Sequence, residues 1–248
     1  MELQQLSTEV APKPLSLAGA ALFLDLDGTL APIAARPQDV GPDPRRNSLL
    51  ERLSDALGGR VAVITGRTLA DVDRILEGRV KAIAAVHGLV RRHADGRMES
   101  APPHPALKDA AVAFTRFAAE DAGLLVEDKG QSVALHYRLA PGYGPHAAAL
   151  ASEIAAATGL ARQDGHMVVE LRTPGPNKGD AVADFLGDPP FAGARPVFVG
   201  DDLTDEDGFL AAAARGGFGV LVGAERRTRA RWRLVDVDAA LAWLEASL

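Results

Sequence analysis

The sequence predicts an α/β fold: a Rossmann-like parallel-sheet core interrupted by a smaller inserted α/β module. Three observations point to it. Short, fully apolar runs that end in acids or glycine alternate with stretches of helical periodicity, as strands joined by crossover helices do. A middle segment of different character lies between two proline-rich hinges, one at Pro102, Pro103 and Pro105 and the other at Pro174 and Pro176. Beyond the second hinge the first pattern resumes.

Residues 1–20 read as a flexible leader. They lack the basic start and long apolar stretch of a secretion signal and carry Pro12 and Pro14. The first strand is predicted over 21–26, an apolar run that closes on acids and Gly28. A helix starts near Pro44, repeats Leu49, Leu50, Leu53, Ala56 and Leu57, and stops at Gly58 and Gly59. A strand over 60–65, a helix over 68–76, a strand over 81–86 and a hairpin around Ala94, Asp95 and Gly96 follow. In the middle segment an alanine-rich helix to about 122, strands over 124–128 and 131–139, a helix over 145–158 and strands over 160–163 and 167–172 form two helix-plus-hairpin units. The resumed pattern gives helix 178–186, strand 196–199, helix 204–214, strand 218–222 and a last helix near 238–246. The expected domains are a core of 21–104 with 174–248 and an inserted module of 105–173.

Composition excludes more than it identifies. The chain carries 27 Lys and Arg against 33 Asp and Glu, a formal charge of −6, and no cysteine. Disulfides, thiolate metal sites and thiol nucleophiles are therefore excluded, and a reducing cytoplasm is the expected setting. An acidic chain argues against nucleic-acid binding, which draws on clustered Lys and Arg. Five arginines lie between 226 and 233, but without interleaved aromatics beyond Trp232 they read as a solvated stripe. No run is apolar enough for a membrane span. Gly216, Gly217 and Gly219 fail the dinucleotide fingerprint because Val222 stands where its third glycine belongs. The six histidines lack metal-ligand spacing, and the pattern leaves no spare apolar patch, so a monomer is expected.

The polar residues of the core gather at the C-terminal ends of predicted strands, where open α/β sheets hold ligands. Asp25 and Asp27 share one side of an extended segment, and Gly28 with Thr29 lets a backbone N–H approach an anion. Paired carboxylates suit a hard cation such as Mg²⁺, with one acid left for proton transfer, although turn capping would also place acids there. Thr65, Gly66 and Arg67 end the next strand and offer a hydroxyl and N–H groups to a phosphoryl oxygen, or simply an N-cap. Lys178 stands at a helix start, which disfavours a cation unless an anion is near. Asp201, Asp202, Asp205 and Glu206 follow a buried strand, and helix capping explains only one or two of them. In the module, period-two spacing sets His136 and Arg138 on one strand face and Glu170 on the polar face of another, beside Glu127 and Lys129. Such groups could hydrogen-bond a polyol or form a solvated mixed-charge face.

In this order the core clusters resemble the haloacid-dehalogenase-type phosphatases, with Asp25-Leu26-Asp27-Gly28-Thr29, Thr65, Lys178 and Gly200-Asp201-Asp202 with Asp205 as the four motifs. The resemblance implies an HAD-like core with a cap, Asp25 as nucleophile, Asp27 as acid and base, and Thr65 with Lys178 clamping the phosphoryl group. It implies Mg²⁺ on Asp25, the Asp27 carbonyl and Asp201, with Asp202 and Asp205 ordering metal-bound water or Lys178. It also implies Gly28, Thr29, Gly66 and Arg67 at the phosphoryl oxygens. Adding Glu127-x-Lys129-Gly130, His136-Tyr137-Arg138, Glu170, Val86-His87-Gly88 and Asn177-Lys178-Gly179, the chain is similar to the bacterial single-domain trehalose-6-phosphate phosphatases from about 22 to 244. Thr65 replaces the usual serine. The resemblance implies trehalose 6-phosphate as substrate, Glu127, Lys129 and Glu170 on the distal glucose with His136 and Arg138 nearby, and a synthase in a separate protein. Another disaccharide phosphate, mannosylglycerate phosphate, or a silent sugar-phosphate-binding role are the alternatives.

Overall fold

The computed structural model describes residues 4–5 and 12–248. The chain divides into two compact units, residues 1–99 with 176–248 and residues 100–175. These divides fall a few residues outside the module boundaries that the hinges suggest.

Among the described residues, the first unit holds β1 (Gln4–Gln5), β2 (Ala20–Leu24), α1 (Pro44–Ala56), β3 (Val61–Ile64), α2 (Leu69–Leu76), β4 (Ala82–Ala85), β5 (Val90–Arg92) and β6 (Met98–Ser100). The second holds α3 (Leu107–Ala118), β7 (Leu125–Asp128), β8 (Ser132–His136), α4 (Gly144–Thr158), β9 (Ala161–Gly165) and β10 (Val168–Arg172). The chain then returns to the first unit with α5 (Lys178–Phe185), β11 (Arg195–Gly200), α6 (Glu206–Ala214), β12 (Phe218–Val222), β13 (Arg227–Thr228), β14 (Trp232–Leu234) and α7 (Val237–Glu245).

The sheet of the first unit runs β14-β12-β11-β2-β3-β4-β5-β6. It is parallel from β14 to β4, and β5 returns antiparallel to β4. Strands β2, β3 and β4 are buried along their whole length, so they read as continuous apolar runs rather than as alternation. One side of the sheet carries an aromatic core: Phe23 stacks against Phe185 and Phe191, and Phe198 meets Phe209 edge-on at 5.7 Å. Phe185 closes α5 and Phe209 lies in the first half of α6, so burial of these rings packs both helices against the sheet.

The leader expected over 1–20 lies partly outside the described residues. Where described it is tied down: Leu15 is buried and its N–H donates to Ser247 Oγ, while the Lys13 carbonyl accepts from the Trp243 indole at 2.9 Å. The arginine run is also more ordered than a solvated stripe, since it contains β13 and the parallel edge strand β14. Among the described residues, no helix is long and apolar enough to cross a membrane.

The second unit is a four-stranded antiparallel sheet, β7-β8-β10-β9. Val133, Leu135, Val169 and Leu171 face α3 and α4 and pack with Phe114, Ala147 and Ala151. The alternate residues, including Glu127, His136 and Glu170, therefore share the opposite face. The strand expected over 131–139 stops at His136, because its partner Val168 is the first residue of β10 and Met167 turns away in the left-handed region at φ +56°. Arg138 consequently lies in a turn rather than on the strand face.

Candidate active site

Parallel strands bring their C-terminal ends to one edge, and Asp25, Thr65 and Asp201 each follow such an end. Lys178 enters from the first turn of α5, whose N-cap Asn177 forms a capping box with Asp180. A cation in the first turn opposes the helix dipole, and two buried anions explain it. Lys178 Nζ donates to Asp25 Oδ1 at 2.9 Å and to Asp205 Oδ1 at 2.7 Å, with all three side chains at most 6% exposed. Asp205 Oδ2 accepts the main-chain N–H groups of Asp201 and Asp202, both at 2.9 Å. Asp205 is thus a bridge between Lys178 and the loop after β11. The Asp202 carboxylate accepts the N–H of Leu203 through Oδ1 as a cap on the short helical turn that follows.

The loop runs against Gly28, whose φ of +78° and missing side chain admit the Asp201 carboxylate: a Cβ there would lie 2.0 Å from Asp201 Oδ2. The Thr29 hydroxyl, fully buried, donates to Asp201 Oδ1 at 3.5 Å. Thr65 is buried and its hydroxyl accepts from the Arg67 N–H. Gly66 has no room for a side chain, because a Cβ would meet His87 Nε2 at 2.5 Å. His87 itself adopts φ +57°, ψ 25° beside this turn, an uncommon backbone conformation for a residue with a side chain.

Asp25 and Asp27 do not share one partner. The ladder ends at Leu24, so strict alternation does not carry through Asp27. Instead Asp27 receives a two-pronged pair from Arg67, Nε to Oδ2 at 2.6 Å and Nη2 to Oδ1 at 2.7 Å, while Nη1 donates to the Pro37 carbonyl. The Arg67 guanidinium therefore orients the Asp27 carboxylate.

Carboxylate oxygens of Asp25, Asp201 and Asp205 all lie within 4.8 Å of one another. Burial pushes Asp25 up to about 7 against the pull of Lys178, and burial with Asp25 and Asp205 pushes Asp201 up to about 9. Lys178 is held above the ordinary lysine range, because the two carboxylates outweigh its burial. The buried carboxylates of Asp25 and Asp205 and the half-buried one of Asp201, set against one ammonium, leave an excess of negative charge that a hard divalent cation would relieve, and the all-oxygen donor set suits such an ion. Since both oxygens of Asp205 are engaged, Asp25 and Asp201 are the side chains left to hold it. The spacing of histidines gives no metal signal, yet His93 approaches Glu99 and Asp184 within the same limit. Arg91 already pairs with both carboxylates there, at 2.8 and 2.9 Å.

In the second unit Lys129 Nζ donates to Glu170 Oε2 at 2.8 Å, and His136 Nε2 lies 2.8 Å from Glu127 Oε2. Glu127 and Glu170 both lie opposite Ala134 across the ladder, so the four side chains form one polar patch. Burial would raise the Glu127 carboxyl, but the hydrogen bond from His136 and the charge of Lys129 hold it below its ordinary range. Arg138 donates to the His166 carbonyl at 2.9 Å.

Two polar residues near the loop after β11 escape sequence reasoning. Glu206 is visible only as one acid among several, and Arg226 only as part of the arginine run. They pair with each other, and Arg226 also reaches the carbonyls of Asp201 and Asp202.

Comparison with known proteins adds relatives to this geometry. A family profile described as trehalose-phosphatase matches residues 23–238. A probable trehalose-phosphate phosphatase of Sinorhizobium fredii is 42% identical over 205 residues, 82% of this chain and 77% of that protein. The trehalose-6-phosphate phosphatase of Escherichia coli is 38% identical over 227 residues, 91% of this chain and 85% of that protein. Among solved structures, a trehalose-6-phosphate phosphatase related protein aligns with TM-score 0.72 at 26% identity, covering 91% of this chain and 96% of that one. The C-terminal domain of the Candida albicans trehalose-6-phosphate phosphatase shares the fold, with TM-score 0.84 at 23% identity over 98% of this chain and all of that one.

Proposed function

The chain belongs to the trehalose-phosphatase family, and from that premise we propose that it hydrolyses trehalose 6-phosphate to trehalose and inorganic phosphate. The observation that carries this reading is the buried bridge Asp25–Lys178–Asp205 at the C-terminal edge of the sheet, with Asp201 beside it. Asp25 attacks phosphorus and forms an aspartyl-phosphate as the sugar oxygen leaves; Asp27 supplies the proton to that oxygen. Asp27 then takes a proton from water, whose oxygen attacks phosphorus and releases phosphate while the Asp25 carboxylate is regenerated. Lys178 and the Thr65 hydroxyl hold the non-bridging oxygens through both steps. Mg²⁺, held by Asp25, Asp201 and the Asp27 main-chain carbonyl, would neutralise charge on the phosphoryl group and favour the ionised form of Asp25. In the second unit, Glu127, Lys129, His136 and Glu170 bind sugar hydroxyls and set specificity, which their paired donors and acceptors support.

Phosphate release from a panel of sugar phosphates tests the reading. Asp25→Asn should abolish turnover on every substrate, since an amide is no nucleophile here. Glu127→Ala should reduce kcat/KM for trehalose 6-phosphate by at least about tenfold, one lost hydrogen bond to a charged group, and leave a small generic phosphate ester nearly unaffected. Equal losses on both would remove the second unit from specificity.

A further inference from the structure

Asp201 bears a carboxylate whose direction is set mainly by its main chain, because among the described residues its one side-chain hydrogen bond is the long 3.5 Å contact from Thr29. The main chain on either side is gripped from two directions. Asp205 takes the N–H groups of Asp201 and Asp202. Arg226 takes their carbonyls: Nη2 donates to the Asp202 oxygen at 2.8 Å and to the Asp201 oxygen at 3.3 Å. Its Nη1 donates to Glu206 Oε1, and to the Arg227 carbonyl at 3.2 Å. Glu206 is buried, and its other oxygen accepts the Arg229 N–H at 2.7 Å, which anchors the pair to the chain after β12.

We propose that Arg226, held by Glu206, is a positioning residue for the phosphoryl-transfer site: by fixing the Asp201 and Asp202 carbonyls it aims the Asp201 carboxylate at Asp25 and so sets the affinity for the divalent cation. This rests on the reading of Asp25 and Asp201 as cation ligands. The chemistry requires arginine. A planar fork serves two carbonyls and a carboxylate together, whereas a lysine ammonium is a single point on a flexible stem. Partners one bond removed from a metal ligand commonly change metal affinity about 10–100-fold when they are replaced.

The test is calorimetric titration of the full, metal-free chain with MgCl₂ alone, for the unaltered protein, Arg226→Gln, Arg226→Lys and Glu206→Gln, with thermal unfolding in chelator to establish that each is folded. Arg226→Gln should raise the Mg²⁺ dissociation constant about 10–100-fold, and Arg226→Lys should restore only part of the loss. KM for the sugar phosphate at saturating Mg²⁺ should stay within about twofold, since the Arg226 guanidinium is engaged by Glu206 and by main-chain carbonyls. Should Arg226→Gln fail to fold, Arg226→Lys and Glu206→Gln carry the same comparison. Folded variants that bind Mg²⁺ as tightly as the unaltered chain overturn the inference and leave the cation site standing. Absence of Mg²⁺ binding by the unaltered chain overturns the cation reading itself, and the inference with it.

Discussion

Replacing Lys178 by methionine keeps the length and volume of the side chain and removes only its charge and donors. The loss falls on two carboxylates: Asp25 at 2.9 Å and Asp205 at 2.7 Å, both buried. Removing one partner of a buried ion pair costs about 3–5 kcal/mol, a large share of the roughly 5–15 kcal/mol by which domains are stable. At roughly 2–4 °C per kcal/mol for a chain of this size, Tm should fall by about 6–20 °C. The deficit should also depend on pH. Burial already holds the folded Asp25 carboxyl at about 7, above its unfolded value of 3.8, and loss of the ammonium raises it further. A carboxyl whose folded value is raised keeps a proton that the unfolded chain has released, so stability falls as pH climbs from about 4 toward that folded value. The deficit of Lys178→Met against the unaltered chain should therefore be smaller near about pH 5 than near about pH 8. Thermal unfolding in chelator at both values reads it directly. A Tm within about 2 °C of the unaltered protein at the higher pH, or a larger deficit at the lower one, refutes the view of Lys178 as the counter-charge of a buried acidic pair.

Gly28→Ala places a Cβ 2.0 Å from Asp201 Oδ2 at φ +78°, so the carboxylate must move and the backbone is strained by roughly 1–2 kcal/mol. Phosphate release should fall much further than this modest destabilisation explains, and an alanine variant with full turnover would refute the close approach of the two loops. In the second unit, the lowered Glu127 carboxyl contributes stability that is present above the ordinary value of 4.5 and is lost as pH falls through its folded value. The stability difference between the unaltered chain and Glu127→Gln should therefore be full near about pH 7 and shrink below about pH 4, and a difference independent of pH in thermal unfolding would count against the His136 and Lys129 pairing.

How much of this was legible in the sequence depends on whether a contact follows from local periodicity. Asp25, Thr65 and Asp201 sit where apolar runs end, and a parallel sheet must bring such ends to one edge, so their gathering could be read without coordinates. Lys178 announced itself by standing where a helix repels cations. Arg138 misled, because alternation continues through 136–138 while the ladder does not: β10 supplies no residue beyond Val168 to pair with. Strands β13 and β14 were hidden for a related reason. Arg227–Thr228 and Trp232–Leu234 have little apolar pattern of their own, and pairing with β1 and β12 makes them strands. The partnership of Arg67 with Asp27 spans 40 positions and that of Arg226 with Glu206 spans 20, and no spacing rule connects either.

The acid cluster after β11 shows what this costs a reading made from residue types alone. Four acids in six residues look like a cation site. In the structure Asp202 caps the short helical turn at Leu203, Asp205 bridges Lys178 to two backbone N–H groups, and Glu206 holds Arg226. Asp201, whose carboxylate carries no such cap or bridge, sets it against Gly28 and near Asp25. Most of the local negative charge thus serves to fix one side chain, and the arginine that completes the fixture lies in a stretch whose composition suggests a solvated surface. Cation affinity at such a site is a property of the whole loop and its clamps. Substitutions that never touch the ion should therefore change it nearly as much as replacement of a ligand does.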